Sequence, residues 1–323
     1  FIWIKERVDT DWHVLYDSIR GNSQLYSNTN NAAGSSTTQV TSFNSDGYTF
    51  GNTGAGNADG QATIAWAWKA GGAPTTVDSS SLSGLTSITQ SVNSEGKFSI
   101  TKYTCDATGN KQVPHGLGVI PDFIIVKRTS SAQDWICWHK GLDSGNTGAG
   151  NYIVLNRSDA KGHLNGSGDG SSYYRTENGG LTSTKVEFAN QAPTDLNGET
   201  YIMYAWKAVN GVSSFGSYTG NGTSSSPGTQ TITTAGPDGN SFKPRFVMIK
   251  PYTASGSWSM WDTHRTFASG DLKELYANGS GAEPTSATST YMLSLENTGF
   301  KFTNIYHQSL NSSSVSYIYM AFA

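Results

Sequence analysis

The sequence predicts an all-β protein: tandem antiparallel β-sandwich modules, jelly-roll or concanavalin-like in outline, in three homologous copies with the first truncated at its N-terminus. Three observations predict it. One apolar strand ending in lysine is written three times, as Phe1-Ile2-Trp3-Ile4-Lys5, Phe123-Ile124-Ile125-Val126-Lys127 and Phe246-Val247-Met248-Ile249-Lys250. Each copy closes on a second apolar strand: Ile64-Ala65-Trp66-Ala67-Trp68, Ile202-Met203-Tyr204-Ala205-Trp206 and Ile318-Tyr319-Met320-Ala321-Phe322. Aromatic residues make up 12% of the chain and charged residues only 14%, with 37 glycines, which describes aromatic strands joined by Gly/Ser/Asn loops. A period of roughly 120 residues is too long for a solenoid unit and suits a small domain.

The third module is the most regular. Phe215–Thr219 opens it as a strand and Gly220-Asn221-Gly222 turns it. Thr229 to Thr233 reads as a further strand. Pro244-Arg245-Phe246 enters the apolar strand, where a proline is tolerated because no ladder donor is needed. The second module matches, with Phe98–Tyr103 opening and Pro121-Asp122-Phe123 entering the same strand. In the first module residue 1 already falls on the apolar strand. A sandwich without its opening strand exposes an edge, so an upstream extension is expected to supply it, with residues 71–96 as the alternative donor. The resulting division is 1–70 for the first module, 71–96 for a Ser/Thr/Gly-rich linker or donated strand, 97–209 for the second module and 210–323 for the third.

One tryptophan follows each apolar strand at nearly equal distance: Trp12, Trp135 and Trp258. Alternation puts Trp12 with Val14, Trp135 with Cys137 and Trp258 with Met260 on one face, all apolar, so these three tryptophans are assigned to the core. Leu15, Trp138 and Trp261 are placed on the opposite face. Residues 43–50 and 295–302 read as hairpins around Asx/Gly turns. A short helical turn is expected around Ser269–Ala277. Cys105 and Cys137 fit no metal spacing and read as buried thiols rather than a disulfide.

The net charge is −3 and no basic run exists, so nucleic-acid binding through phosphate neutralisation is not expected. No apolar stretch reaches membrane-spanning length, so no membrane insertion is expected, and no signal peptide is read at residues 1–7.

The run Phe215-Gly216-Ser217-Tyr218-Thr219-Gly220-Asn221-Gly222, the phrase Pro-x-Phe-x-x-x-Lys, the pair Asp262-x-x-Arg265, the closing Tyr317–Ala323 and His115-Gly116-Leu117-Gly118 resemble repeated domains of tailed-bacteriophage structural proteins. These are common in marine phages and cyanophages as tail-fibre or virion proteins. The resemblance covers the chain except residues 71–96. It implies a component on the outside of a virion, a homo-oligomer with a trimer favoured, and contacts with other virion proteins and a host-surface glycan or receptor. It carries no catalytic residues. His139 and Leu142 depart from it, standing where the third module has Asp262 and Arg265.

Asp17/Arg20 and Asp262/Arg265 share one spacing and read as structural ion pairs pinning a turn. The histidines form no close ligand pair. Asp9-x-Asp11 and Asp169 could touch Ca²⁺ but lack the run of oxygen ligands of a loop site, so no cofactor is assigned. Scattered carboxylates, including Glu6, Asp134, Asp143, Glu187, Glu274 and Glu296, show no repeated pair, and no enzyme is expected. The repeated heptapeptide at 51–57 and 145–151 reads as loop composition. Tyr152, Tyr173, Tyr174, Tyr252 and Tyr306 lie in or near predicted loops and are candidates for stacking on sugars. The expected function is host-surface attachment by a virion surface protein. The alternatives are a tailspike-type glycan depolymerase and a passive decoration protein without ligand.

Overall fold

The computed structural model describes residues 1–35, 39–51, 57–142, 151–163, 180–188, 194–222, 230–285, 293–302 and 310–323. Among these the fold is all-β, with antiparallel ladders throughout the sheets. A first unit contains β1 (Ile2–Glu6), β2 (Val14–Asp17), β3 (Gly21–Tyr26), β4 (Gly34–Ser35), β5 (Val40–Phe43), β6 (Tyr48–Phe50) and β7 (Thr63–Ala67). A second contains β8 (Thr75–Thr76), β9 (Leu85–Asn93), β10 (Phe98–Cys105), β11 (Lys111–Pro114), β12 (Phe123–Arg128), β13 (Ile136–His139), β14 (Asn151–Val154), β15 (Gly162–His163), β16 (Lys185–Phe188) and β17 (Thr200–Trp206). A third contains β18 (Ser213–Thr219), β19 (Gln230–Thr233), β20 (Phe246–Pro251), β21 (Ser259–Asp262), β22 (Leu275–Tyr276), β23 (Leu293–Glu296), β24 (Gly299–Phe302) and β25 (Ser316–Phe322).

Each unit is a large sheet with a small one over its outer face. The large sheets run β4-β3-β2-β1-β7, β15-β14-β13-β12-β17-β10-β9-β8 and β22-β21-β20-β25-β18. The small ones are β5-β6, β11-β16 and β19-β24-β23. In the last, Gly299 is required by close approach, since a Cβ there would lie 2.0 Å from the Ile232 carbonyl oxygen.

The apolar strands are buried on both faces, which is why they read as unbroken hydrophobic runs. Their outward side chains fill a separate core in each unit: Ile2 and Ile4 in the first, Ile124 and Val126 in the second, Val247 and Ile249 in the third. Their inward side chains, among them Phe1, Trp3, Phe123, Ile125, Phe246 and Met248, enter one core common to all three units. Packed against it, the partly buried Trp68 contacts Trp206 at 6.1 Å and the partly buried Phe322 at 5.6 Å between ring centroids. The units are thus arranged around a shared aromatic hub, where the sequence suggested a simple array.

Hydrogen bonds close the arrangement into a ring. The Ala33 N–H donates to the Thr129 carbonyl, Lys161 N–H to Tyr252, and Glu283 N–H to Arg7, at 2.8–2.9 Å. The three acceptors occupy corresponding positions, just beyond β1, β12 and β20. The first unit therefore leans on the second, the second on the third, and the third on the first.

Several expectations are corrected. Residues 71–96 are neither a linker nor a strand of the first unit. Their β9 pairs with β10 along the edge of the second unit's sheet, with Ile88 opposite Tyr103 and Leu85 opposite Cys105. Leu85 and Ile88 are the anchors, buried in the second unit's outer core. The helical turn at Ser269–Ala277 is absent; that stretch is a bridge of Thr266 to Leu272 followed by β22. Cys105 and Cys137 are buried thiols in different cores.

Candidate functional site

The paired registers identify corresponding positions. Ile4 faces Val14, Val126 faces Ile136 and Ile249 faces Ser259. The residues just before these are His13, Trp135 and Trp258. The first unit's counterpart of the two tryptophans is therefore His13, eight residues after the lysine in each case, and Trp12 stands one place short. A one-residue offset moves a side chain to the other face. Trp135 and Trp258 are buried, but Trp12 is 42% exposed, so its assignment to the core is overturned. The same offset corrects Leu15, which lies in the shared core. Tyr16, not Leu15, corresponds to Trp138 and Trp261.

The buried tryptophans seal junctions between units. Trp135 Nε1–H donates to the Tyr26 carbonyl of the first unit at 2.9 Å, and Trp258 Nε1–H to the Val154 carbonyl of the second at 2.9 Å. In the first unit the diagonal neighbour on the adjacent strand is the large one instead: Trp3, paired with Leu15, stands where the others carry Ile125 and Met248. Its Nε1–H donates to His13 Nδ1 at 2.9 Å. His13 Nε2 then carries the proton and lies beside the Tyr276 backbone without a hydrogen bond of normal geometry. Burial, with Lys5 and Arg265 nearby, holds His13 well below the usual histidine range, so it is neutral.

Freed from the junction, Trp12 sits on the surface, edge-on to Tyr26 at 4.6 Å between centroids. The Trp12 backbone N–H donates to Asp11 Oδ1 at 2.7 Å. Asp11 also lines an open cleft of about 470 Å³ with Glu6, Asp9, Thr10, Ala58 and Gln61. Gln61 Nε2 reaches Asp9 Oδ2 at 3.3 Å. Burial, then Asp11 and Asp9, raise the Glu6 carboxyl above the usual range. Burial and Asp11 likewise raise Tyr26. The exposed indole offers an apolar face, and the cleft that begins at the preceding residue, Asp11, offers carboxylate and amide partners for hydroxyls. Among the described residues no group of three or more His, Cys, Asp or Glu is placed to hold a metal ion.

The paired Asp and Arg residues lie at the same junctions. Arg20 Nε meets Asp17 Oδ2 at 2.5 Å and Arg265 Nε meets Asp262 Oδ2 at 2.6 Å, all four side chains almost fully buried. Asp17, His139 and Asp262 are corresponding positions, opposite Phe1, Phe123 and Phe246. Each faces the closing strand of another unit. Asp17 accepts from the Tyr204 hydroxyl at 2.7 Å and Asp262 from Trp66 Nε1–H at 3.1 Å. Met320 holds the place of Trp66 and Tyr204 in the third unit and has no proton to give. There His139, whose Nδ1 accepts from the Gly141 N–H, directs Nε2–H to the Tyr319 carbonyl at 3.1 Å. Burial opposes ionisation of Asp17, yet Arg20 and the Tyr204 hydroxyl hold its carboxyl below the usual range.

The tyrosine candidates fare differently. Tyr252 is buried against the shared core. Tyr152 is a half-buried residue of β14, packed on the second unit's outer core. Tyr252 does lie in a bend just after β20, and Tyr152 lies within β14; neither is an exposed loop residue. Tyr173, Tyr174 and Tyr306 lie outside the described residues, as do Asp143, Asp169 and most of both heptapeptides.

Two groups of junction residues escaped sequence reasoning. Lys127 Nζ donates to the carbonyls of Asn30, Arg128 and Gln133, and Lys250 Nζ to those of Ser158, Asp159 and Gly256. Burial pushes both down to about 7. The signal was present: a lysine repeated at the end of a fully apolar strand needs buried acceptors. Glu283 gave no signal. It takes a two-pronged bond from Arg7 at 2.7 and 3.0 Å and lies within 3.5 Å of Arg265 and Lys273.

The chain belongs to the DUF7483 family, a domain of unknown function whose match spans residues 1–323. Neither a curated protein nor a solved structure matches it.

Proposed function

We propose that this DUF7483 chain is a surface protein of a phage virion, of tail-fibre type, that attaches to a host-surface glycan through the Trp12 platform. The observation that carries the reading is the exposed Trp12. The tryptophans of the other units are consumed by junctions, whereas here His13 takes their position and Trp12, one place earlier, stands 42% exposed with its ring against Tyr26, next in sequence to the Asp11 that lines the cleft. Stacking on the indole would bind a sugar's apolar face while the carboxylates and Gln61 accept from or donate to its hydroxyls. The shared hub supports the structural side of the role, because loops mounted on one continuous core are held rigidly. Assembly as a homotrimer with other virion proteins would multiply a weak single-site affinity.

Binding of the intact chain to a glycan array and to host cells tests this. Trp12→Ala is expected to weaken adsorption at least about tenfold, ~1.4 kcal/mol, with an unchanged unfolding midpoint. Adsorption equal to that of the parent chain would remove the platform from the reading.

A second reading attaches to the same cleft. Glu6 has a raised carboxyl and two acidic neighbours, the asymmetry that glycan hydrolysis exploits. Release of reducing sugar from host polysaccharide, abolished by Glu6→Gln, would favour a depolymerase. No release with any polysaccharide that the chain binds would eliminate it.

A further inference from the structure

The closing strand of each unit can be compared position by position. β17 is bonded to β12 on one side and β10 on the other, and β25 to β20 and β18. β7 is bonded to β1, and among the described residues no strand pairs with its other edge. Burial follows the pairing. Every residue of β17 from Tyr201 to Trp206 is buried, whereas in β7 only Trp66 is, and Ala67 is exposed. The outer core of the first unit is correspondingly thin: Tyr26, Phe43, Tyr48, Phe50 and Ala65 are only partly covered.

β10 and β18 define what occupies this place elsewhere. Ile100 lies opposite Tyr204 and Phe215 opposite Met320, and both of those partners correspond to Trp66. On that register Ser99 matches Ser214, Lys102 matches Ser217, Tyr103 matches Tyr218 and Thr104 matches Thr219. Ile100 and Phe215 enter the shared core. The two tyrosines enter the outer cores and stack on Tyr201 at 5.2 Å and Tyr317 at 4.8 Å between centroids. Their hydroxyls donate to the backbone carbonyls of Thr194 and Leu310. Lys102 and Ser217 point to solvent.

We propose that the free edge of β7 is a docking site for one extended strand, antiparallel, carrying the phrase Ser–(Ile or Phe)–small–polar–Tyr–Thr. Its apolar residue lies opposite Trp66 and its tyrosine opposite Thr63. Main-chain bonds to an open edge supply the affinity, and alternate side chains entering the two cores supply the specificity, as in strand addition generally. Both strands of this type among the described residues are already paired, so the occupant is an additional strand.

The test uses the whole chain and synthetic peptides with the sequences of residues 98–104 and 213–219. Amide hydrogen exchange is followed at Thr63–Ala67 with saturating peptide, a scrambled peptide of the same composition, and a peptide with tyrosine replaced by serine. The expected result is about tenfold or greater slowing at these amides with the native phrase, and little with the other two. In a second arm the phrase is joined to the chain through a flexible Gly/Ser linker, which raises its effective concentration to roughly the millimolar range. The fusion should protect the same amides and raise the melting temperature even if free peptide binds too weakly. Unchanged exchange in both arms overturns the proposal, and so does equal protection by the scrambled sequence.

Discussion

The first unit and its two neighbours perform the same packing task with different side chains. In the second and third, a large indole at the start of the second strand accompanies a slim residue at the diagonal position of the first: Trp135 with Ile125, Trp258 with Met248. In the first unit the bulk sits on the other strand: Trp3, paired with Leu15, reaches diagonally to His13. The difference teaches that the junction constrains a summed volume and a ring N–H, not a residue type at a fixed place. The junction acids obey a similar rule. An aspartate serves where the neighbour offers a proton, from Tyr204 or Trp66, and a histidine serves where only a carbonyl is available.

The most severe way to break the comparison is at the third-to-first junction, where Glu283 draws Arg7, Arg265 and Lys273 together. Arg265→Ala would leave Asp262 and Glu283 buried beside a void, since Arg265 also stands over the Trp66 ring at 5.5 Å. A loss of about 3–5 kcal/mol is expected in chemical denaturation. Trp258→Ala should cost a similar ~3–5 kcal/mol by opening a cavity at the second-to-third junction.

A swap sharpens it. Trp3→Ile alone removes the donor to His13 Nδ1 and leaves a void, and His13→Trp alone overfills the site. The double variant restores the arrangement of the other units. A favourable coupling of about 0.5–3 kcal/mol is expected in the double-mutant cycle; strictly additive losses would mean the two pairs are not equivalent.

Acid separates the junctions by their titration windows. Burial holds His139 down to about 3, well below its unfolded value. Between that value and about 6.5 the unfolded chain binds a proton that the folded one refuses. His139 therefore makes stability fall as pH drops through this window, by at most about 1.4 kcal/mol per pH unit. Asp17 has a depressed folded value, so its contribution is complete above about 3.9 and is lost only as pH falls through its folded value. His139→Gln should reduce the slope of the urea midpoint against pH between 4 and 6, leaving the part due to the likewise depressed His13, and Asp17→Asn should leave that slope unchanged.

The smallest expected effect is the most diagnostic. Trp12→Ala should change stability by no more than about 0.5 kcal/mol, as for surface substitutions generally. A loss of several kcal/mol would restore Trp12 to the core.

Much of this architecture could be read from residues. The triplicated apolar strands, their closing partners, the hairpins at 43–50 and 295–302, and the Asp/Arg spacing all appear in the fold where local pattern put them. The offset of Trp12 was hidden because the residue type repeats while the register does not; counting from Lys5 to the paired Val14 exposes it, but that count needs the ladder. The strand at 85–93 was obscured by its Ser/Thr content, and only its partner β10 makes those residues a sheet edge. Glu283 was illegible, because it serves Arg7 from the far end of the chain.

The common hub has a consequence for how such a chain can evolve. A row of separate beads can gain or lose one by recombination, but a closed wheel with one axle cannot. Deleting a sector would leave two mating faces unmatched and the axle hollow, and an extra sector would find no angle to occupy. Diversification is then channelled outward, into the rim and the loops, where sequence can drift without disturbing the aromatic axle to which Phe1, Phe123, Trp206 and Phe246 belong.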